Sequence, residues 1–241
     1  RLPGALAAFG WGDGPLAHVA RGTEGFDDGD VVGPDSLFRI YSMTKPITGL
    51  LAMMLIEEGK LGLDQELAEI APEFASMSVA LDPAKNLDAR PARTAITIRH
   101  LLTHTSGLGY VGVTHNKVGD ELIRLGISPA VISRLEIPGL TPPVPTPPAD
   151  EFLRRAASVP LLAEPGAKWL YSMSYDILGI VLERVSGGTG LARLFEERIF
   201  APCGMHSTWF RVPKGATERL ATSYGVIAGI PVPIKPPRMD V

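Results

Sequence analysis

The 241-residue chain reads as a mixed α/β (α+β) chain, strands near the N-terminus followed by mostly helical sequence. Three observations predict this. Two short alternating segments flank Gly12-Asp13-Gly14 near the N-terminus. A helical apolar stripe follows Ser42, and further helical stretches follow Ala149.

Taken in order, Ala5 to Gly10 and Leu16 to Arg21 alternate as strands, and the glycine-rich turn between them signals a hairpin. Leu37-Phe38-Arg39-Ile40 reads as a short strand. A helix is expected from Ser42 to Glu58, where Ile47, Leu50, Leu51, Met54 and Leu55 recur on one stripe. Pro46 falls in its first turn, where a missing N–H does no harm, and Gly59 is placed to stop it. Ser42 would then sit at a buried helix N-terminus. From Leu63 to Pro160 the pattern is short helices and loops, and the proline-rich stretch Ile137 to Pro148 predicts an extended surface connection. Helices are expected near Ala149 to Ala157, from Ser174 to Ser186 and from Leu191 to Ile199. The second carries Ile177, Leu178, Val181, Leu182 and Val185 on its stripe and ends at Gly187-Gly188. No internal repeat is visible.

Composition narrows the function classes. Hydrophobic residues make up 45% and charged residues 20%, which suits a chain that buries a sizeable core and excludes a disordered or coiled-coil protein. A net charge of −3 without a basic stripe argues against nucleic acid as a partner. No apolar run approaches membrane-spanning length, so no membrane partner is expected. The lone Cys203 excludes an internal disulfide framework and reads as a small buried hydrophobe. No signal-peptide pattern opens the chain. That favours the cytoplasm, whereas a signal already removed would place the protein in the periplasm.

Ser42-Met43-Thr44-Lys45 carries the chemistry. A serine hydroxyl is a poor nucleophile until a neighbouring base takes its proton. A lysine three residues on lies on the same helical face and can reach it, the arrangement written S-x-x-K. Of seven lysines, only Lys45 has a serine at that offset. The competing reading makes Ser42 an N-cap.

Four stretches settle that choice. The segment from Phe38 to Thr48 resembles the nucleophile region of the serine β-lactamase and penicillin-binding-protein superfamily, closest to class C β-lactamases and the related family VIII carboxylesterases. The run from Ile98 to Leu108, which contains His104-Thr105-Ser106-Gly107, is similar to a second stretch of that group. Pro165-Gly166 with Trp169-Leu170-Tyr171-Ser172 and Asp176-Ile177-Leu178-Gly179 resembles a third, and Phe200 to Met205 a fourth.

The resemblance implies a β-lactamase-like fold, an antiparallel sheet flanked by helices plus a mostly helical domain. Residues 1–62 would form the N-terminal part of an α/β domain with the nucleophile helix, 63–212 a mostly helical domain with the tyrosine motif, and 213–241 a return segment. N- and C-terminal strands would share one antiparallel sheet. It also implies that Ser42 forms an acyl-enzyme with Lys45 and Tyr171 as acid and base, leaving open which of the two is the base, and that no cofactor takes part. The group's third motif, K-[ST]-G, H-x-G or W-G-G, has no match, since Lys214-Gly215 lacks the middle residue. The C-terminal strands therefore read as missing from the chain, and a second polypeptide segment supplying them joins a small-molecule ester substrate as a candidate partner.

Tyr171-Ser172-Met173 departs from the Y-x-N of the β-lactamases, whose asparagine binds the substrate amide; methionine cannot do so, which favours esters. The leading expectation is a serine carboxylesterase acting on short-chain or small acyl esters. The alternatives are a β-lactamase, D,D-peptidase or acyltransferase of the same fold, or a catalytically incompetent fragment or binding module. Ser174 or Asp176 is expected to cap the following helix. His100 and His104 are spaced four apart, as zinc-binding pairs are, but Leu101 stands where H-E-x-x-H needs glutamate, so no metal site is expected. His104 is expected to tie down the Thr105-Ser106-Gly107 turn. Trp11 and Trp209 read as packing residues, Trp169 or Tyr110 as cleft-lining ones.

Overall fold

The computed structural model describes residues 2–27, 29–127, 144–227 and 229–235. They fall in two compact units, one from 2–41 and 207–235, the other from 42–127 and 144–206. Of the proline-rich stretch expected from Ile137 to Pro148, residues 137–143 lie outside the described residues.

The first unit is built from two hairpins. Strands β1 (Gly4–Phe9) and β2 (Ala17–Gly22) pair antiparallel, Gly4 opposite Gly22 and Phe9 opposite Ala17, about the predicted glycine turn. Strands β3 (Ser223–Ile227) and β4 (Ile230–Lys235) form the other, with Gly229 at φ +81 turning the chain where a side chain would be strained. The sequence reading missed this hairpin because Pro231 and Pro233 demote β4 as a strand. Each hairpin is a separate two-stranded sheet among the described residues. The two prolines supply no N–H with which a ladder could continue beyond β4.

The strand expected at Leu37-Phe38-Arg39-Ile40 reduces to one bridge, Leu37 to Leu220. Leu37 is buried with Ala216 and Leu220 in this unit's small core, packed by Trp209 and Val212. Phe38 is exposed, so only one residue of the four has a reason to pair. Lys214-Gly215, both exposed, open a turn of 3-10 helix, Lys214–Arg219, and not a strand. Trp11, expected to pack, is 94% exposed at the hairpin tip.

The second unit is mostly helical and holds the main core. Helix α1 (Thr44–Glu57) follows a 3-10 turn over Tyr41–Met43 and ends at Gly59, φ +71. Its buried face is Thr48, Leu51, Ala52 and Leu55; Leu50, placed on the stripe by spacing, is half exposed at its edge. The fully buried stripe of α2 (Ser174–Val185), Ile177, Leu178, Val181 and Leu182, packs against α1 and against α3 (Ile98–Leu102). Burying four such side chains is worth roughly 6–12 kcal/mol before entropy is subtracted. Arg184 on α2 donates to both carboxylate oxygens of Glu73 and to Asp150, clamping the helix end to two neighbouring segments.

Around this pair lie α4 (Lys117–Arg124), capped by Asn116, whose side chain accepts from Val118 and Gly119, and α5 (Ala149–Ala157). Helix α6 (Leu191–Phe195) runs on into a wider, π-type turn over Glu196–Phe200. A small hairpin, β5 (Ser78–Ala80) with β6 (Ala89–Pro91), was not foreseen, being only three residues per strand. Cys203, expected to be a small buried hydrophobe, is exposed in the turn after the π segment. Among the described residues, no helix is long and apolar enough to cross a membrane.

Candidate active site

The site is assembled by two loops laid against each other within the second unit. One leaves α3 and runs through His104 to Tyr110; the other runs from Leu162 to Met173 into α2. Four backbone bonds join them: Leu162 N–H to Gly107 O at 2.7 Å, Gly166 to Thr105 at 2.8 Å, Leu170 to His104 at 2.8 Å, and Met173 to Gly109 at 3.2 Å. Tyr171 emerges from the second loop beside the start of α1.

Three residues singled out in the sequence meet there. Ser42 Oγ lies 2.7 Å from Tyr171 Oη and 3.3 Å from Lys45 Nζ. Ser42 does not cap α1, whose N-cap is Met43 without a side-chain bond. Its hydroxyl is thus spent on the tyrosine and lysine. Ser42 is exposed and not buried as expected, because the 3-10 turn Tyr41–Met43 lifts it off the helix proper. Tyr41, immediately before it, has φ +43, a backbone region costly to a bulky residue.

Two tyrosines beside Lys45 are pushed apart. Burial acts to raise the Tyr171 phenol, but hydrogen bonds from Lys45 and Ser42 and the lysine charge outweigh it, and the net shift is downward. Tyr110, whose ring meets Tyr171 edge-on at 5.2 Å, is pushed up to about 12, first by burial and then by the Asp176 and Tyr171 charges. The two shifts run in opposite directions, so the Tyr171 phenol gives up its proton more readily than that of Tyr110. Lys45 Nζ stands 4.9 Å from the Tyr171 ring centre and 6.0 Å from that of Tyr110. Trp169 is exposed next to His104, with ring centres 6.1 Å apart.

Asp176, in the first turn of α2, does not cap that helix; its N-cap is Met173, with no side-chain bond, and Ser174 is buried in a serine cluster. Burial pushes the Asp176 carboxyl up to about 6, against the opposing pull of Lys45 and its own backbone N–H. A raised acid binds its proton more tightly folded than unfolded, so its contribution is intact below about pH 4 and lost as pH rises through 6. Asp176→Asn should therefore match wild type in stability near pH 4 and exceed it at pH 8, on the order of 2 kcal/mol. Urea denaturation at both pH values checks this; a variant less stable at pH 8 contradicts it.

His104, with φ +54, does not tie down its own turn as expected. Its Nδ1 accepts the Ser172 N–H at 3.2 Å, and its ring stacks on Tyr171 with centres 4.8 Å apart. Burial, then the Lys45 charge, holds its pKa below the ordinary histidine value. His100 completes a capping box at α3, its Nδ1 accepting the Thr97 N–H. The two histidines thus serve different backbone groups, and among the described residues no cluster of three or more His, Cys, Asp or Glu could hold a metal. Met173 is 2% exposed within the core, so the position after Tyr171-Ser172 offers the site no polar group.

Sequence reading missed that Ser106, Ser172 and Ser174 are buried together. Ser174 Oγ lies 2.8 Å from Ser106 Oγ and 2.7 Å from Ser172 Oγ. The signal was the serine at alternate positions after Tyr171, but its partner is 68 residues away in sequence.

The family model described as Beta-lactamase matches residues 1–239. Protein Rv1367c of Mycobacterium tuberculosis is 37% identical over 225 residues, covering 92% of this chain and 51% of that protein. Esterase EstB of Burkholderia gladioli is 35% identical over 236 residues, covering 98% and 53%. Among solved structures, that of EstCE1, described as a hydrolase with promiscuous acyltransferase activity, superposes with a TM-score of 0.71 at 31% identity over 97% of this chain and 55% of that one. The chain spans about half the length of the curated relatives it matches.

Proposed function

Because the chain belongs to the beta-lactamase family, with that family's serine-hydrolase fold, we propose that it cleaves small or short-chain carboxylic esters through an acyl-enzyme on Ser42. The observation that carries this is the 2.7 Å contact of Ser42 Oγ with a phenol whose pKa is drawn down. Tyr171 and Lys45 together take the hydroxyl proton as Oγ bonds the acyl carbon. The start of α1 favours the developing oxyanion. Collapse breaks the carbon–oxygen bond to the leaving alcohol, which receives the proton back from Tyr171. Water, deprotonated by the same pair, then attacks the acyl carbon and frees Ser42 and the acid.

Two features support ester over β-lactam. Met173 gives no amide-binding group, and the similar EstB is an esterase by name. Acyl transfer is the second reading: an alcohol replaces water in the last step, as the described activity of the similar EstCE1 suggests. Both share the Ser42 adduct.

The test is intact-mass spectrometry of the protein with a fluorophosphonate, beside turnover of p-nitrophenyl acetate and a chromogenic cephalosporin. One adduct on the Ser42 peptide and ester turnover at least about a hundredfold faster than lactam turnover are expected. No adduct on folded protein would sink the hydrolase reading. Faster lactam turnover would overturn the ester preference alone.

A further inference from the structure

Resting on the Ser42 acylation just described, the geometry assigns His104 as the positioning residue for Tyr171. It would hold the phenol in place from both sides of the chain without touching substrate.

One residue grips three parts of the Tyr171 segment. The His104 carbonyl accepts the Leu170 N–H at 2.8 Å, before the tyrosine. Its Nδ1 accepts the Ser172 N–H at 3.2 Å, after it. Its ring lies on the tyrosine ring, 4.8 Å between centres and 29° between planes. The phenol can neither slide along the loop nor swing about its side chain without breaking one of these.

Donor directions show how the imidazole is itself set. The Leu108 N–H can only donate, to Ser106 Oγ at 3.3 Å. At the other end the Ser172 N–H makes Nδ1 an acceptor, so the Ser172 hydroxyl spends its proton there. That hydroxyl takes a proton from Ser174 at 2.7 Å, which takes one from Ser106 at 2.8 Å. Ser172 Oγ lies 3.3 Å from Nδ1, and its proton runs that way. Two donors, the Ser172 N–H and O–H, thus converge on Nδ1. A proton there would face both of them, so His104 is neutral and carries its proton on Nε2. Its surroundings agree. Among the described residues, the cation acting on it is Lys45 from α1, which also acts on Asp176 of α2, while the rings of Tyr171, Trp169 and Tyr175 pack around it. His104, Ser106, Ser172 and Ser174 are all buried, so water does not compete for these bonds.

Catalytic groups displaced by an ångström lose about a hundredfold in rate, which sets the expected effect. The rate of Ser42 labelling by a fluorophosphonate is followed against pH, together with thermal stability, for wild type, His104→Phe, His104→Asn and Ser174→Ala. Phenylalanine keeps a ring on Tyr171 but offers no acceptor. Labelling should slow about a hundredfold, and its pH midpoint should rise, because a phenol no longer held beside Lys45 returns toward its ordinary value. Asparagine restores an acceptor near Nδ1 and tolerates positive φ, so rate and midpoint should largely recover. Ser174→Ala cuts the chain two links away and should slow labelling about tenfold with a midpoint shift in the same direction. Should His104→Phe not fold, Ser174→Ala against His104→Asn decides by the same two readouts. Variants that lose stability yet keep the wild-type midpoint overturn the positioning role and leave Ser42 acylation standing. A wild type that does not label overturns the acylation reading, and this inference with it.

Discussion

Ser42→Ala is expected to abolish the fluorophosphonate adduct and to lower kcat/KM for p-nitrophenyl acetate on the order of 10⁴-fold. The serine oxygen is the atom that bonds the acyl carbon, and nothing within reach replaces it: Lys45 and Tyr171 both point at that oxygen, 3.3 and 2.7 Å away. The companion substitution, Tyr171→Phe, removes one oxygen and leaves the ring on His104 undisturbed. It should lower the same ratio by about 10²–10⁴, the range for removing a general base, with Tm near wild type. Because the two residues act on one proton, the double variant should be no slower than Ser42→Ala alone. Additive losses, or a tyrosine variant within a few-fold of wild type, would show that Lys45 activates the serine unaided. The adduct is read by intact mass and the ratios by initial rates.

Gly107→Ala should be strongly destabilising. Gly107 has φ +82, and a Cβ there would sit 2.1 Å from the Ala163 carbonyl oxygen, which is backbone and cannot step aside. The Gly107 carbonyl accepts the Leu162 N–H, one of the four bonds joining the site loops, so relief of the clash must pull the loops apart. Left-handed strain alone costs about 1–3 kcal/mol; with the backbone collision the loss should reach about 4 kcal/mol or more. Denaturant unfolding of the variant measures it. A loss under about 1 kcal/mol would mean the loops separate freely and do not hold Tyr171. By contrast, Gly59→Ala meets no atom within 4 Å and bears only the strain of φ +71.

How much of this was legible differs from element to element. Helix α2 reads from Ser174 to its double glycine because four of its five stripe residues are buried and the fifth, Val185, is partly so, and periodicity and packing agree. Leu50 shows the limit: it has the right spacing on α1, but how wide a face the neighbours cover is a tertiary fact. Short strands were illegible for a related reason. Val79 of β5 bridges to Leu161, far along the chain, and no local pattern announces such a partner. In the site, Ser42 and Lys45 are one helical turn apart and visible as a pair. Tyr171, 129 residues on, is reached only through the resemblance of its surrounding stretch. His104 stood inside a recognised stretch, yet its bonds run to Leu170 and Ser172, and a sequence does not say across which gap a polar side chain will find its acceptor or donor.

The prolines of β4 bear on self-association. A proline cannot donate to the ladder, so Pro231 and Pro233 stand where their nitrogens face away from β3. Every second position along the outer edge of that hairpin therefore lacks a donor. Val226, Ile227 and Ile230 are exposed there, an apolar composition that in an open-edged strand invites a second copy to add on by backbone pairing. The prolines deny such a copy the regular spacing of hydrogen bonds it would need. Among the described residues, the apolar side chains of this hairpin thus stand beside an edge that is a poor template for aggregation.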